Sequence, residues 1–220
     1  MKIVLCVPGN TFSREVTMDI IKFLDDAKTA QWQVIVSMDY DPNVYYVRNK
    51  LLGGDVGRGP NQKPYNGEID YDYVVWIDSD IRFNFKMIER LASHEKDAIC
   101  GLYRMSDLKH FTVVRHMDDE YFKENKTYQF LTVEDVEKMH KTQKVDLLKI
   151  DYTGMGIFLV SRTAIEKMEY PWFQPVWKDI DDMRDFTSED VGFCIKLRET
   201  GTDIYCDPGV MAGHMKLVPI

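Results

Sequence analysis

The sequence predicts an α/β fold: a mixed, mainly parallel sheet flanked by helices, with a small antiparallel element in the second half of the chain. Short continuous apolar runs recur along the sequence, which is typical of strands whose two faces are both buried. The first two runs are separated by a segment of helical periodicity, as in a parallel βαβ unit. Residues 105–150 instead contain FTVVRH and TYQFLT, two short strand patterns that fit an antiparallel pair.

The first half of the chain is predicted to contain four strands and three helices. The strands are KIVLCVP, WQVIVSMD, YVVWID and DAICGLYR, and the helices cover 13–29, 44–52 and 85–95. Ser13 is a suitable N-cap for the first helix, and apolar residues recur at helical spacing from Val16 to Leu24. Residues 53–67 contain five glycines and two prolines, which fits either a flexible surface loop or a loop that orders over a ligand.

The second half is predicted to alternate strands and helices again. Thr132 and Asp135 can open the helix VEDVEKMHKT as a capping box. VDLLKIDYTGMGIFLVSR is strand-like at both ends, with a glycine break in the middle. TSEDVGFCIKLRETG predicts a helix with an acidic first turn that stops at Gly201, and DIYCDPG predicts the last strand.

Composition indicates a globular protein of one domain. The chain has 220 residues, of which 45% are hydrophobic and 29% charged. Its apolar runs fall well short of the roughly 18 residues that a membrane span needs. The first residues read as a strand rather than a signal peptide, and four widely spaced cysteines are expected to be reduced core residues. We therefore expect a cytoplasmic protein with no membrane span.

The net charge of −8 argues against a protein whose main task is to bind polyanions. The two common nucleotide-binding fingerprints are also missing from the sequence. It contains no Gly-Lys-Ser/Thr of a P-loop and no G-x-G-x-x-G of a dinucleotide site. Any nucleotide site must therefore be built in another way.

Two aspartates, Asp78 and Asp80, directly follow the apolar strand YVVWI. Asp-x-Asp occurs four times in the chain, but only this pair stands at the end of a continuous apolar strand. Ligands bind beyond the carboxyl ends of strands in open α/β sheets, and carboxylates there suit Mg²⁺ or Mn²⁺ shared with substrate phosphates. The alternative is a strand end capped by solvated acids.

Four further residues are candidates for chemistry. Glu189 and Asp190 lie in the first turn of the last helix. There they either complement the helix dipole after a Thr187 or Ser188 cap, or supply a general base. His214 follows the last strand beside a glycine and is either structural or a metal ligand. Asp39 ends the second strand and is expected at the same sheet edge as Asp78.

Taken in order, these features resemble the GT-A glycosyltransferases, in particular the family 2-like enzymes that use nucleotide-diphosphate sugars. The resemblance extends from VLCVPGN to GHMK, which is nearly the whole chain. Its most specific stretches are YVVWIDSDIRF and SEDVGFCIKLRETGTDIYCDPGVMAGH. It implies a Rossmann-like GT-A domain over 1–220, with a nucleotide-sugar-binding half at about 1–104 and an acceptor-binding and catalytic half at about 105–220.

The resemblance also implies roles for individual residues. Asp190 would be the catalytic base with Glu189 beside it, Trp172 would form a wall of the acceptor site, and Asp80, His214 and Asp78 would hold the metal. The residues implied for nucleotide-sugar binding are Pro8, Asp39, Arg48, Asp78, Ser79, Asp80, Gly154, Met155 and Gly156.

The implied reaction transfers a sugar from a nucleotide-diphosphate sugar to an acceptor hydroxyl, with inversion at the anomeric carbon. Mn²⁺ or Mg²⁺ would neutralise the leaving diphosphate, and Asp190 would take the hydroxyl proton. The acceptor could be a glycan, a lipid, a protein or, as a minority option, modified DNA, and a homodimer is compatible with the chain. The alternatives are a retaining GT-A transferase, a nucleotidyltransferase and a non-catalytic sugar-nucleotide-binding module.

Overall fold

The computed structural model describes residues 1–142 and 147–216. The strands are β1 (Lys2–Pro8), β2 (Gln33–Asp39), β3 (Tyr73–Ile77), β4 (Ile81–Arg82), β5 (Ala98–Leu102), β6 (His110–Val114), β7 (Phe130–Thr132), β8 (Leu148–Ile150), β9 (Tyr152–Thr153), β10 (Ile157–Ser161), β11 (Trp177–Ile180), β12 (Met183–Phe186), β13 (Ile204–Met211) and β14 (Gly213–His214). The helices are α1 (Arg14–Thr29), α2 (Val44–Leu51), α3 (Phe85–Ser93), α4 (Asp119–Asn125), α5 (Val133–Thr142), α6 (Arg162–Ile165) and α7 (Glu189–Glu199).

A seven-stranded sheet in the order β2-β1-β3-β10-β5-β13-β8 forms the centre of the molecule. Strands β10 and β8 run antiparallel to their neighbours, and the other five share one direction. Small antiparallel sheets are formed by β7-β6-β9, by the hairpin β11-β12 and by β14-β4. The prediction of a mixed, mainly parallel sheet with a small antiparallel element is confirmed.

The continuous apolar runs arise because the central strands are covered on both faces. In β1, Val4 and Cys6 belong to one buried cluster, whereas Ile3, Leu5 and Val7 belong to the other. Successive side chains of a strand point to opposite faces, so a strand covered on both sides needs apolar residues at every position. This pattern places the polar residues of such strands at their ends.

Capping residues define several helix boundaries. The Ser13 hydroxyl accepts a hydrogen bond from the Val16 amide at 3.1 Å, and α1 begins where the sequence predicted. Thr132 and Asp135 form the predicted capping box: each side chain accepts a hydrogen bond from the other residue's amide. At α7 the structure differs, because Ser188 occupies the N-cap position but its hydroxyl donates to the Asp190 carboxylate instead of capping.

The glycine-rich segment 53–67 forms a loop with two short 3₁₀ turns, Val56–Arg58 and Pro64–Gly67. Gln62 fastens it by donating to the carbonyls of Asp55 and Gly59, each at 2.7 Å. The start of this loop lines a cleft of about 470 Å³ together with Asp39. The sequence predicted either a flexible surface loop or a loop that orders over a ligand. The segment lies beside Asp39, one of the candidate site residues.

Two smaller expectations concern the cysteines and the membrane. All four cysteines are buried and free, as predicted. Within the described ranges, every helix is too short or too polar to cross a bilayer.

A buried ion cluster fixes β13 to α3. The Asp207 carboxylate is 1% exposed and accepts from Arg90 Nε at 2.7 Å and from the Gly209 amide at 2.8 Å. Nε2 of His94 lies 2.8 Å from the same carboxylate. Burial opposes ionisation of Asp207, but the hydrogen bonds from Arg90 and His94 outweigh it and lower the pKa of this carboxyl.

Asp207→Asn is expected to lower the free energy of unfolding at pH 7 by about 2 kcal/mol, because charge-assisted hydrogen bonds are lost. A depressed folded-state pKa stabilises the protein above the unfolded value near 4, and this contribution disappears as pH falls through the folded-state pKa. Denaturation at pH 7 and at pH 3 should therefore show a difference between variant and wild type that narrows in acid. The exposed Asp203, which pairs with Lys149, supplies the control Asp203→Asn. An equal loss at both pH values for Asp207→Asn would contradict this account.

Candidate active site

Residues from three parts of the chain meet at the carboxyl end of β3. The turn Asp78–Asp80 connects β3 to β4 and lines a cleft of about 260 Å³ with Pro8 at the end of β1 and Arg48 in α2. Gly9 lets the turn approach β1, since a Cβ there would lie 2.7 Å from the Ser79 Cβ. The structure thus brings together Pro8, Arg48, Asp78, Ser79 and Asp80, five of the residues that the resemblance implies for nucleotide-sugar binding.

Arg48 links this cleft to the first turn of α7. Its Nη2 donates to Asp78 Oδ1 at 2.9 Å, and its Nε donates to Glu189 Oε1 at 3.3 Å. The guanidinium lies 5.7 Å from the ring centre of Trp76 and 5.8 Å from that of Phe173. Its side chain is only 5% exposed. A buried cation therefore joins two carboxylates that are 111 residues apart in the sequence.

The carboxylate of Asp190 is oriented by neutral donors. The Tyr152 hydroxyl donates to Oδ2 at 3.0 Å, while the Val191 amide donates to Oδ1 at 2.8 Å. The Ser188 hydroxyl also donates to Oδ1. These bonds hold the carboxylate in one orientation, which is what a general base requires.

Glu189, next in sequence to Asp190, has a raised pKa. Burial is the main cause, and repulsion from the neighbouring Asp190 adds to it, whereas Arg48 acts in the opposite direction. Glu189 is thus a largely buried acid that is paired with Arg48. The two acids therefore have different environments, with Asp190 held by hydroxyl and amide groups.

Asp80 lies between two basic groups from the C-terminal segment. Nε2 of His214 lies 3.1 Å from Asp80 Oδ2, and Lys216 Nζ donates to the same oxygen at 2.8 Å. Partial burial opposes ionisation, but the hydrogen bonds from His214 and Lys216 lower the pKa of Asp80 to about 2. The Asp80 hydrogen bond in turn raises the pKa of His214.

Asp80 and His214 offer a carboxylate oxygen and an imidazole nitrogen, which suit a cation that shares its coordination with substrate oxygens. Across residues 1–142 and 147–216, no group of three His, Cys, Asp or Glu side chains surrounds a metal position. Asp80 and His214 nevertheless face each other. Nδ1 of His214 lies 2.6 Å from the Arg104 carbonyl, and a hydrogen bond there orients the ring so that Nε2 is the nitrogen that could bind a metal. Asp78, the third predicted ligand, is instead turned to Arg48.

The glycines of Gly154–Gly156 accommodate an aromatic side chain. A Cβ on Gly154 would lie 2.1 Å from the Tyr103 hydroxyl oxygen, and one on Gly156 would lie 2.6 Å from the Tyr103 ring. Met155 is buried between them. The predicted role of these residues as the floor of a sugar pocket therefore finds no exposed backbone here, because the Tyr103 ring covers the glycines.

Two further predicted site residues, Trp172 and Asp39, also lie outside the cleft of Asp78 and Asp80. Trp172 is 0% exposed and packs edge-on against Tyr170 with ring centres 5.2 Å apart, so its indole cannot form an acceptor wall in this conformation. Asp39 lines the neighbouring cleft with the glycine-rich loop, and its Oδ1 accepts from the Tyr40 amide at 2.7 Å. Tyr40 and Asp41, which follow Asp39 in the sequence, line the cleft of Asp78 and Asp80 instead.

Sequence reasoning gave no role to Tyr103, Tyr152 or Lys216. Lys216 could have been noticed, because it lies two residues after His214 and side chains two apart in an extended segment face the same way. Tyr103 follows β5 directly, and its ring packs edge-on against His214 with centres 5.3 Å apart. The contact between Tyr152 and Asp190 depends on how α7 packs on β9, which no local pattern indicates.

No protein-family model matches this sequence, and no curated protein matches it. Solved structures do match over nearly the whole chain. A197 from STIV is 16% identical with a TM-score of 0.58, and the match covers 99% of this chain and 87% of A197. GalNAc-T7, solved with UDP, GalNAc and Mn²⁺, is 12% identical with a TM-score of 0.55, and the match covers 99% of this chain and 44% of GalNAc-T7.

A third similar structure is the catalytic domain of Drosophila beta1,4galactosyltransferase 7 in complex with xylobiose. It is 12% identical, the TM-score is 0.50, and the match covers 98% of this chain and 71% of that domain. At identities this low the likeness concerns the fold. The sequence predicted a mixed, mainly parallel sheet flanked by helices with one small antiparallel element. The chain therefore has the GT-A fold of the glycosyltransferases.

Proposed function

We propose that the protein is a metal-dependent glycosyltransferase that moves a sugar from a nucleotide-diphosphate sugar to an acceptor hydroxyl with inversion. The observation that carries this proposal is the bridge made by Arg48. It joins the Asp78–Asp80 turn, where a donor would bind, to the Glu189–Asp190 turn, where a base is needed. If Asp78 only ended its strand and Glu189 only complemented its helix dipole, the two would not need to share a buried cation.

The donor would lie in the cleft lined by Pro8, Arg48 and the Asp78–Asp80 turn. Asp78 would accept from hydroxyls of the ribose or sugar, and Tyr40, which is half exposed, could stack on the base. Nη1 of Arg48 is buried and has no partner within the described ranges, so a donor oxygen would satisfy it. Asp80 and His214 would hold Mn²⁺ or Mg²⁺, which would supply Lewis-acid stabilisation of the leaving diphosphate.

Asp190 would accept the proton of the attacking hydroxyl. Its carboxylate is positioned by hydrogen bonds from the Tyr152 hydroxyl and the Val191 amide. Inversion requires this base on the face of the sugar opposite to the diphosphate. A retaining enzyme would not use Asp190 in this way, and NMR of the anomeric proton in the first-formed product separates the two reactions.

Calorimetric titration with UDP, GDP and CDP, with and without Mn²⁺, tests the donor site. We expect wild type to bind one of them in a metal-dependent manner, and Asp80→Ala to bind it at least about tenfold more weakly. The matched control is Asp70→Ala, which removes an exposed aspartate from another Asp-x-Asp pair. If no nucleotide binds to wild type under these conditions, or if Asp80→Ala binds as well as wild type, the proposal is wrong.

Lys216 should compete with the metal for Asp80, since its ammonium already occupies one side of Oδ2. Lys216→Met is therefore expected to strengthen Mn²⁺ binding about threefold, as removal of a half-exposed ion pair allows. Free Mn²⁺ can be followed by electron paramagnetic resonance in the absence of nucleotide. Lys149→Met, which breaks an exposed pair with Asp203, should leave the affinity unchanged. Weaker binding by Lys216→Met would show that Lys216 assists the metal.

A further inference from the structure

The hairpin β11-β12 stands directly before α7 and carries two exposed aromatic side chains. Trp177 is 69% exposed and Phe186 is 62% exposed, and their rings pack edge-on with centres 5.9 Å apart. The two residues are register partners at the open end of the hairpin. Large apolar side chains exposed together in this way are uncommon on a surface that binds nothing.

Several ion pairs hold the hairpin in place. Lys178 pairs with Asp119 of α4 at 2.9 Å, and Lys123 of α4 pairs with Asp181 at 2.6 Å. Within the hairpin, Arg184 donates to both oxygens of Asp179. The aromatic pair is therefore presented on a fixed support, which lowers the ordering cost of binding.

A cleft of about 510 Å³ lies between this hairpin, α4 and the start of α7. Its walls combine the rings of Phe122, Tyr128 and Phe186 with the charged groups of Lys178 and Arg184. Thr187 and Val191, which precede and follow Asp190 in the sequence, also line the cleft. Thr187 also ties the hairpin to this turn, since its amide donates to the Val176 carbonyl at 2.9 Å and its hydroxyl accepts from the Val176 amide at 3.1 Å.

We propose that this cleft and the Trp177–Phe186 pair form the acceptor subsite, and that the acceptor is an uncharged oligosaccharide. The proposal rests on the glycosyltransferase function proposed above, because residues on both sides of the candidate base in the sequence, Thr187 and Val191, line the cleft. The apolar CH faces of a sugar ring pack on aromatic rings, and its hydroxyls pair with charged side chains in the walls. A volume of this size is ordinary for a small-ligand site.

The charges of the hairpin favour an uncharged sugar over the other acceptors. Residues 177–186 contain four aspartates against one lysine and one arginine, so a phosphorylated lipid or a nucleic acid would be repelled. Three cations line the walls. Lys178 and Arg184 are neutralised by Asp119 and Asp179, and the Lys126 ammonium donates to the Lys123 carbonyl at 2.8 Å. An aliphatic chain would leave these ion pairs in contact with apolar surface.

Binding to an array of immobilised glycans and lipids tests the assignment, with wild type, Trp177→Ala, Phe186→Ala and Leu108→Ala. Leu108 is 67% exposed in the turn between β5 and β6, so it controls for loss of exposed apolar surface. We expect wild type and Leu108→Ala to bind neutral oligosaccharides, and each aromatic variant to bind them about tenfold more weakly. Emission should shift to the blue on binding through Trp177, because Trp76 and Trp172 are wholly buried and Trp32 packs edge-on against Phe85 of α3.

Failure of this assignment can be separated from failure of the function itself. Nucleotide binding, measured calorimetrically on the same variants, should equal that of wild type. The assignment is overturned if wild type binds no glycan, if only charged glycans or lipids bind, or if the aromatic variants bind like wild type. In each case intact nucleotide binding would leave the glycosyltransferase proposal standing, whereas its absence in wild type would reject that proposal too.

Discussion

Replacing Asp190 by Asn is expected to lower the rate of sugar transfer about 10³-fold while nucleotide binding stays close to that of wild type. The amide keeps the shape of the carboxylate and can still accept from the Tyr152 hydroxyl, but it cannot take a proton. Transfer can be followed as release of the nucleoside diphosphate from the donor that calorimetry identifies. A variant that keeps more than a tenth of the wild-type rate would exclude Asp190 as the base.

Two companion measurements distinguish a catalytic role of Asp190 from a structural one. The melting temperature of Asp190→Asn should stay close to that of wild type, because the lost repulsion from Glu189 offsets the lost attraction to Arg48. Tyr152→Phe should slow transfer by about tenfold, since one bond that orients the carboxylate is lost and others remain. A large fall in melting temperature for Asp190→Asn would indicate that the carboxylate mainly supports the fold.

Arg48→Met is expected to produce the largest loss of stability, about 3–5 kcal/mol. The substitution keeps an unbranched side chain between Trp76 and Phe173 but leaves Asp78 and Glu189 without their shared cation. For a chain of this length the melting temperature should fall by about 10 °C. Chemical denaturation followed by circular dichroism measures the free energy directly.

A surface arginine and a double variant serve as controls for Arg48. Arg162 pairs with Glu166 and Asp70 but is about one-third exposed, so Arg162→Met should destabilise the protein far less than Arg48→Met. Adding Glu189→Gln to Arg48→Met should recover part of the loss, because one uncompensated buried charge is then removed. Equal losses for the two arginine variants would mean that the bridge contributes little.

The fold was largely predictable because its strands and helices are specified locally. β1 shows an uninterrupted apolar run because both of its faces are covered, and α1 is marked by the Ser13 cap and its apolar stripe. The sequence also indicated that β10 follows a glycine break. It did not indicate that β10 would pair antiparallel with both β3 and β5, since strand order depends on contacts between distant segments.

Several residues of the candidate site could be named from the sequence because they stand at the end of a strand or the start of a helix. Asp78 and Asp80 could be located because they terminate β3, and His214 because it follows β13. Trp172 was assigned to the acceptor by its residue type, yet its ring is enclosed by the core. Tyr103 could not be foreseen, because its place over Gly154 and Gly156 results from the packing of β5 beside β10.

The position of β10 has a consequence for synthesis of the protein. Strands β3 and β5 flank β10 in the sheet, although β10 is made about 55 residues after β5. A chain still on the ribosome therefore has an open gap between β3 and β5 until Ile157–Ser161 has emerged. The partial sheet before that stage exposes unpaired edges that could pair wrongly, so ribosome-bound chains ending before residue 157 should depend on chaperones more than longer ones.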